Sequence, residues 1–171
     1  LIETEEHPTS VTDVLYVSDS QKNLNRTFRH FFGAMGSFTP DDIDYDILKD
    51  MKIVMAGYCL LIPSFDAVDP EYGAVIGRVL EKLCNTGCRT CIDFVTPKQD
   101  KWWKYKRFRK VLKWVDILSI GEDQAEGITG IADEITAAKT PVHEYGVKNA
   151  VIHCGDKGKN FYYSENTGLI T

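Results

Sequence analysis

The chain has no long hydrophobic run, since no apolar stretch approaches the ~20 residues that a membrane-spanning helix needs. Residues Leu1–Thr9 lack the basic-then-apolar order of a signal peptide, and the first residue is not methionine. Charge is also modest, because the formal net charge is −5 over 171 residues. We therefore expect a soluble, cytoplasmic protein that does not associate with membranes and whose natural N-terminus lies further upstream.

The chain also lacks the even cysteine count of a disulfide framework, because it has five cysteines. Three of them copy the spacing of an iron–sulfur loop, but they close a predicted helix and enter a predicted strand instead of following a strand. The four histidines are scattered, and no serine–histidine–acid spacing stands out. We therefore predict reduced thiols, small core side chains and no metal site. The three cysteines are Cys84, Cys88 and Cys91.

What the chain does have is a hydrophobic content of 43%, enough for one domain with a real core and too high for a disordered chain. Its first part, residues 1–38, reads as a β-hairpin. Val11–Ser18 and Arg26–Phe32 are rich in β-forming residues, and the turn-forming tract Asp19–Asn25 separates them. An isolated two-stranded ribbon is marginally stable in water, so we expect the hairpin to pack on something.

From residue 39 to residue 171 strands alternate with helices. Of the four predicted strands, Ile53–Leu61 is a continuous apolar run, which suits a strand buried on both faces. Strands joined by helices predict parallel βαβ units and hence an α/β fold with an open, doubly wound parallel sheet. The predicted strands are Ile53–Leu61, Cys91–Val95, Ile117–Ile120 and Ala150–Cys154. The predicted helices are Thr39–Asp50, Asp69–Leu83, Trp102–Trp114, Glu122–Thr129 and parts of Ile131–Gly146, where Pro141 interrupts the helix. The segment Lys159–Thr171 is predicted to form a hairpin whose partner is missing.

Ligands of open α/β sheets bind outside the carboxyl ends of the strands. Asp93 ends one strand, where an unpaired acid is unusual. Gly121–Gln124 begins a helix directly after a strand, so its amides suit an anion, although its acids are equally typical of helix capping. Gly155–Gly158 is a glycine-bracketed turn after a strand, which can cradle a phosphate or be an ordinary turn.

The segment Lys101–Val115 carries seven basic residues and no acid. Such a stretch is compatible with nucleic-acid binding, whose affinity would collapse with salt. However, Tyr105, Phe108 and Val111 belong to an apolar stripe at helical spacing. We therefore predict a helix that packs on the sheet with its charges in solvent, and no nucleic-acid partner.

Taken in order, five segments of the chain resemble the middle of a pfkB-type, ribokinase-like carbohydrate kinase. The similarity extends from about Pro8 to Thr171. Each segment is weakly specific, but five in the right order are more so. They are Asn25–Gly33, Phe38–Asp44, Gly57–Asp69, Val115–Gly130 and Gly146–Gly158.

The resemblance implies transfer of the ATP γ-phosphate to a sugar or nucleoside hydroxyl. It also implies that the hairpin belongs to a lid that covers the sugar and pairs between subunits of a homodimer. His30 and Gly33 would then lie near the sugar. The expected nucleotide-binding residues are His153, Gly155, Asp156 and Gly158, and the expected phosphate and Mg²⁺ region contains Gly121, Glu122, Gln124 and Asp93.

Three departures from the family pattern qualify this expectation. Gly121 and Gln124 replace the asparagine and the glutamate of the N-x-x-E motif, which weakens a Mg²⁺ shell because an amide is neutral. His153 replaces a common threonine. The glycine-rich sugar-binding segment and the G-A-G-D loop, which carries the catalytic base, are absent. We therefore expect a fragment that is inactive by itself and holds no catalytic residue; the alternative is a non-catalytic, pseudokinase-like binding or dimerisation module.

Overall fold

The computed structural model describes residues 3–18, 24–96 and 103–171. The strands are β1 (Val11–Ser18), β2 (Leu24–Phe31), β3 (Ile53–Cys59), β4 (Val68–Asp69), β5 (Gly73–Ala74), β6 (Arg89–Phe94), β7 (Ile117–Gly121), β8 (Asn149–His153), β9 (Asn160–Ser164) and β10 (Gly168–Ile170). The helices are α1 (Tyr45–Leu48), α2 (Pro63–Asp66), α3 (Ile76–Asn85), α4 (Trp103–Phe108), α5 (Glu122–Thr129) and α6 (Glu134–Tyr145). None of these helices is long and apolar enough to cross a bilayer.

A six-stranded mixed sheet in the order β10-β9-β8-β7-β6-β3 forms the centre of the molecule. Strands β3, β6, β7 and β8 are mutually parallel, as the βαβ pattern predicts. Strands β9 and β10 extend the sheet in the antiparallel sense. The C-terminal hairpin therefore pairs with itself and, through β9, with β8; a partner for β10 outside the 171 residues stays a prediction.

The core lies where alternate side chains of the central strands meet the helices. Leu118 and Ile120 of β7 and Ala150 and Ile152 of β8 are completely buried, whereas the residues between them are half-buried or exposed. This alternation indicates one closely covered face and one partly covered face. The central strands therefore obtain most of their stabilisation from one side.

Strand β3 differs from its neighbours because it lies at the end of the sheet. Its residues Ile53, Met55 and Tyr58 are 46%, 60% and 48% exposed. The sequence predicts burial on both faces, which these exposed fractions contradict; within the described residues β3 pairs only with β6 and is therefore an end strand. An apolar run indicates a strand well, but it does not tell a central strand from an edge strand.

Three predicted helices are shorter or displaced. Asp44 caps α1 by accepting hydrogen bonds from the amides of Asp46 and Ile47, which divides the predicted helix 39–50 into a 3-10 turn and a short α-helix. Asp69 accepts hydrogen bonds from the amides of Glu71 and Tyr72, so Asp69-Pro70-Glu71 forms the turn between β4 and β5 and α3 begins later. The basic helix is only α4 followed by a 3-10 turn at 112–114.

Helix α6 shows the opposite departure, because it continues through Pro141 where an interruption is expected. Proline normally removes one helical hydrogen bond. Here Ala137, Ala138 and Val142 bury the surrounding turns, so tertiary packing compensates for the lost bond.

The N-terminal hairpin forms as predicted, with Val11 opposite Phe31 and Ser18 opposite Leu24. Of the turn expected over 19–25, residues 19–23 lie outside the described residues. Apolar side chains remain about half exposed on both faces of the ribbon, including Leu15, Tyr16 and Phe28. The hairpin is therefore a separate apolar surface and adds little to the core.

Candidate functional site at the carboxyl edge of the sheet

The carboxyl ends of β6, β7 and β8 lie side by side and bring together three of the residues that the sequence singles out. Gly121, the last residue of β7, is the register partner of His153, the last residue of β8. Asp93 lies near the end of β6, which pairs with β7 in parallel. The predicted convergence of these loops at one edge is therefore present.

Asp93 is half-buried at this edge. Its Oδ1 atom accepts a hydrogen bond of 2.6 Å from the amide of Phe94, and Oδ2 has no recorded hydrogen bond to a described residue. Burial raises the pKa of Asp93, while the Phe94 hydrogen bond and the charge of His153 oppose the rise. Asp93 thus combines a partly desolvated carboxyl group with one oxygen atom that can still accept a ligand.

Gln124 holds the ends of β6 and β7 together. The residue is 8% exposed, and its Nε2 atom donates to the carbonyl of Phe94 at 2.6 Å and to the Thr96 hydroxyl at 3.3 Å. Its Oε1 atom accepts from the Gly121 amide at 2.8 Å. A carboxylate could accept the last bond but could not donate the first two. The neutral amide at this position therefore has a structural reason, which sequence reasoning missed.

Gly121 occupies the N-cap position of α5 in extended backbone. A Cβ atom there would lie 2.9 Å from Asp123 Oδ1 and 3.8 Å from His153 Cε1. An asparagine at position 121 would consequently require the Asp123 side chain to move. The Asp123 carboxylate is also held in place. Its Oδ2 atom accepts a hydrogen bond from the Thr96 hydroxyl at 3.0 Å, and its Oδ1 atom accepts one from the backbone amide of Gln124 at 2.9 Å.

The loop after β8 is open on its outer side. Gly155 and Gly158 have φ values of +44° and +65°, which favour glycine, and an added Cβ at either residue would meet no heavy atom within 4 Å. Gly155 and Gly158 are exposed, and the side chain of Asp156 lies outside the described part of the structure. A ligand could therefore approach the backbone of this loop closely.

An ionic cluster ties this loop to the helices. The Lys157 ammonium group contacts the Glu122 carboxylate and, at 3.0 Å, that of Glu134, and Lys159 lies 3.7 Å from Glu134. Side-chain hydrogen bonds to Glu122 and Glu134 raise the pKa of Lys157, and the bond from Lys157 lowers the pKa of Glu134. Glu122, Glu134 and buried Cys154 also have the spacing of metal ligands, but the lysine already supplies a cation to both acids.

Two of the three cysteines with iron–sulfur spacing make ordinary contacts. Cys84 Sγ donates to the Trp114 carbonyl at 3.4 Å and Cys88 Sγ to the Arg89 carbonyl at 3.5 Å. All five cysteines are free thiols, and those at 59, 88 and 154 are buried. Burial raises the pKa of Cys84 and Cys91, which disfavours the thiolate that metals require.

The two residues that the family resemblance places near a sugar, His30 and Gly33, lie in β2 and just after it. The His30 ring lies between the rings of Phe28 and Phe32, with centroids 6.1 and 6.2 Å away, and its Nδ1 atom is 2.9 Å from the Thr12 hydroxyl. Gly33 has a φ of +46°, and a Cβ there would overlap the Pro8 carbonyl oxygen. Within the described ranges no recorded contact joins His30 or Gly33 to the carboxyl edge.

A second region is a largely apolar cavity of about 520 Å³ beside β3, lined in part by Gly57–Asp69, one of the five segments that carry the family resemblance. Asp66 lines it and accepts a hydrogen bond of 2.8 Å from the Leu60 amide. Burial raises the pKa of Asp66 to about 6, although the Leu60 amide and the charge of Arg107 oppose the rise. The sequence analysis singles out the segment Gly57–Asp69 but not Asp66 itself.

The basic segment is bound to the protein more than expected. Arg109 donates to the carbonyls of Ile128 and Thr129 at 2.6 and 3.1 Å, and Arg107 donates to the Asp66 carbonyl at 2.5 Å. Lys110 donates to the Pro70 carbonyl at 3.1 Å. The apolar stripe is buried as predicted, but these three charges secure neighbouring elements and are not simply solvated; Lys101 lies outside the described residues.

Comparisons with known proteins give matches in solved structures. An adenosine kinase from Anopheles gambiae, in complex with P1,P4-di(adenosine-5) tetraphosphate, has a TM-score of 0.72 at 17% identity, over 98% of this chain and 50% of that one. A PfkB protein from Polaromonas has a TM-score of 0.70 at 15% identity, over 96% and 53%. An Arabidopsis thaliana ribokinase with ribose and ATP has a TM-score of 0.64 at 20% identity, over 97% and 48%. No family model and no curated protein matches the sequence.

These likenesses show the fold: the chain has a ribokinase-like α/β fold. More particularly, its fold is that of about half of a PfkB, ribokinase or adenosine kinase chain, since it spans about half the length of the structures it matches. The resemblance read from the five sequence segments is confirmed at the level of the fold.

Proposed function

We propose that this chain contributes the nucleotide-binding part of an ATP-dependent sugar kinase, in which the γ-phosphoryl group passes to a sugar hydroxyl. The observation that carries the proposal is the open glycine loop after β8, which lies at the same sheet edge as Gly121, the N-cap of α5. Backbone amides of a glycine loop and of a helix N-terminus suit phosphate groups, although the amides of Gly121 and Gln124 already donate to side chains of the site. The shared fold adds support, because structures of this fold include a fructokinase with bound ATP.

In this proposal His153, Gly155, Asp156 and Gly158 contact the nucleotide. The glycines allow close approach of the backbone, since an added Cβ at either would point into open space. His153 is exposed at the end of β8 and can lie against the ligand. An imidazole offers a flat ring and a hydrogen-bonding nitrogen, where a threonine would offer only a hydroxyl.

Mg²⁺, when bound with ATP, neutralises phosphate charge and favours transfer. The residues here fit it only partly. Glu122 is held by Lys157, and the Gln124 amide is used by Gly121, Phe94 and Thr96. Asp93, with one carboxylate oxygen that has no recorded hydrogen bond to a described residue, is the side chain that we assign to the Mg²⁺ shell. We therefore propose weak Mg²⁺ binding at the region formed by Gly121, Glu122, Gln124 and Asp93.

The sugar is proposed to lie under the hairpin, near His30 and Gly33, with residues 1–38 as lid and 39–171 as core. Two copies of the chain would pair through the hairpin, whose apolar side chains Leu15 and Phe31 are 47% and 58% exposed.

We also propose a cytoplasmic location, since five free cysteines suit a reducing compartment. Because no G-A-G-D segment occurs in the 171 residues, the chain is proposed to bind nucleotide without turnover.

Calorimetric titration of Mg-ATP into the 171-residue chain tests this proposal. The Gly155→Asp variant adds a negative charge and a strained φ at the loop, so it should abolish binding. Gly87→Asp is the matched control, because Gly87 also has a positive φ of +85° and open space but precedes β6 at its other end. Binding that both variants lose equally, or no binding by the folded wild-type chain, would contradict a nucleotide site at Gly155.

A second candidate is a non-catalytic binding or dimerisation module. The structural use of Gln124 favours it, since the position that organises Mg²⁺ in the N-x-x-E motif is here occupied by three hydrogen bonds. Both candidates predict a dimer that Phe31→Lys dissociates, which light scattering on the wild type and on this variant tests. The module alone predicts no nucleotide binding, so the Mg-ATP titration separates the two candidates.

A further inference from the structure

The loop between Gly155 and Gly158 has little packing of its own. Its backbone makes two short-range hydrogen bonds, from Lys157 N to the Cys154 carbonyl at 2.9 Å and from Gly158 N to the Gly155 carbonyl at 3.3 Å. Both glycines are in left-handed backbone, and no heavy atom lies within 4 Å of where their side chains would begin. Such a segment needs an anchor to hold one conformation.

The recorded side-chain anchor of this loop is Lys157. Its ammonium group contacts Glu122, the first residue of α5, and Glu134, the first residue of α6, at the same time. The two acids are 33% and 23% exposed at the side chain, so the bridge is partly shielded from solvent. Lys157 therefore joins three elements: the loop, the helix that follows β7 and the helix that precedes β8.

We propose that Lys157 is a positioning residue, which fixes the Gly155–Gly158 backbone relative to the start of α5 by bridging Glu122 and Glu134. The expected effect on ligand binding rests on the proposed function. The backbone amides of the loop and those at the start of α5 would then face the same phosphate groups before the nucleotide binds. Binding would be weaker without the bridge because the loop would have to be ordered during binding.

The chain provides a matched control in Lys159. This lysine lies two residues further on and also approaches Glu134, but at 3.7 Å and with no recorded contact to Glu122. Lys157 and Lys159 have the same exposed fraction of 47% at the side chain. Removing either charge alters the net charge equally, so a difference between the variants reports the bridge and not the overall field.

The test uses the full 171-residue chain as wild type, Lys157→Met, Lys159→Met and Lys157→Arg. Without nucleotide, the loop amides should exchange about tenfold faster in Lys157→Met than in the wild type, because local order depends on the bridge. In Lys159→Met their exchange rates should stay within about twofold of the wild type. Mg-ATP affinity should fall about tenfold in Lys157→Met only, and Lys157→Arg should restore it because arginine keeps the cation.

Hydrogen exchange separates the two proposals. If the wild type binds no Mg-ATP but loop exchange rises only in Lys157→Met, the bridge stands and the nucleotide function fails. Equal exchange in Lys157→Met and wild type, or equal changes in Lys157→Met and Lys159→Met, would overturn the positioning role. Circular dichroism of every variant shows whether it is folded, and a Glu134→Gln variant repeats the exchange test from the other side of the bridge if Lys157→Met is unfolded.

Discussion

The central sheet and the N-terminal hairpin are both built from β-forming, apolar sequence, yet they use it differently. In β7 the side chains of Leu118 and Ile120 are completely buried, whereas in β1 Leu15 is 47% exposed and Tyr16 is 64% exposed. The difference lies in coverage, because helices pack on the sheet and no described element covers either face of the hairpin. Strand-forming sequence thus predicts a strand but does not predict what the strand contributes to stability.

The largest expected effect compares two leucines. Leu118→Ala should cost about 3 kcal/mol of unfolding free energy, because it leaves a cavity in the core. Leu15→Ala should cost less than about 0.5 kcal/mol, because much of that side chain is already in water. Urea denaturation of both variants measures the difference, and similar losses would show that the hairpin is part of the cooperative core.

Two aspartates give the next contrast. Asp116 is 3% exposed, pairs with the Lys148 ammonium group and accepts a hydrogen bond of 2.8 Å from the Thr90 amide. Asp13 pairs with Arg29 on the exposed hairpin. We expect Asp116→Asn to cost about 2 kcal/mol at neutral pH and Asp13→Asn less than about 0.5 kcal/mol.

The pH dependence of the Asp116 contribution has a definite sign. Burial alone would raise the pKa of Asp116, but the Lys148 ammonium group and the Thr90 hydrogen bonds together lower it below the ordinary 3.8. Its stabilisation is therefore full above about pH 4 and is lost as the pH falls further. Denaturation of wild type and Asp116→Asn at neutral and acid pH checks this, and a gap that widens in acid would contradict it.

The basic segment offers a comparison between Arg109, which donates hydrogen bonds to backbone carbonyls, and Lys106, whose side chain is exposed. Arg109→Met should cost about 1 kcal/mol, since it removes both donors to the carbonyls at the end of α5. Lys106 is exposed, so Lys106→Met should have almost no effect. Thermal unfolding of the two variants is the measurement, and equal melting temperatures would mean that the Arg109 bonds contribute nothing.

The smallest effect is a gain of stability beside β3. Burial raises the pKa of Asp66 to about 6, above its ordinary 3.8, so the folded protein disfavours the charged form and stability falls as the pH rises between these values. Asp66→Asn keeps an acceptor for the Leu60 amide and should gain about 0.5 kcal/mol at pH 7. Unfolding at about pH 4 should show no gain; an equal gain at both pH values would contradict burial as the cause.

Much of the fold could be predicted from the sequence, because the order of strands and helices depends on local patterns. The β1–β2 hairpin, α5 and the parallel strands all follow from apolar runs, capping residues and glycines. The exposed edge position of β3 and the continuity of α6 through Pro141 could not, since both depend on which elements become neighbours. Asp69 shows the same difficulty, because its side chain can begin a helix or close a turn.

The site was predictable only as a set of loops. The sequence pattern places Asp93, Gly121 and His153 at strand ends, and parallel pairing brings their strand ends together. What Gln124 and Lys157 do could not be predicted, because their partners lie 30 and 35 residues away in the chain. Hydrogen bonds and ion pairs between distant segments leave no local pattern in a single sequence.

The strand order of the sheet has a further consequence for how the protein forms. From β3 through β6, β7, β8 and β9 to β10, each strand pairs with the strand that precedes it along this series. Each parallel pairing closes one crossover of 22 to 29 residues, and no pairing has to wait for a strand that comes later in the chain. During synthesis the sheet can grow in one direction, each strand completed on the ribosome being added to an edge that already exists.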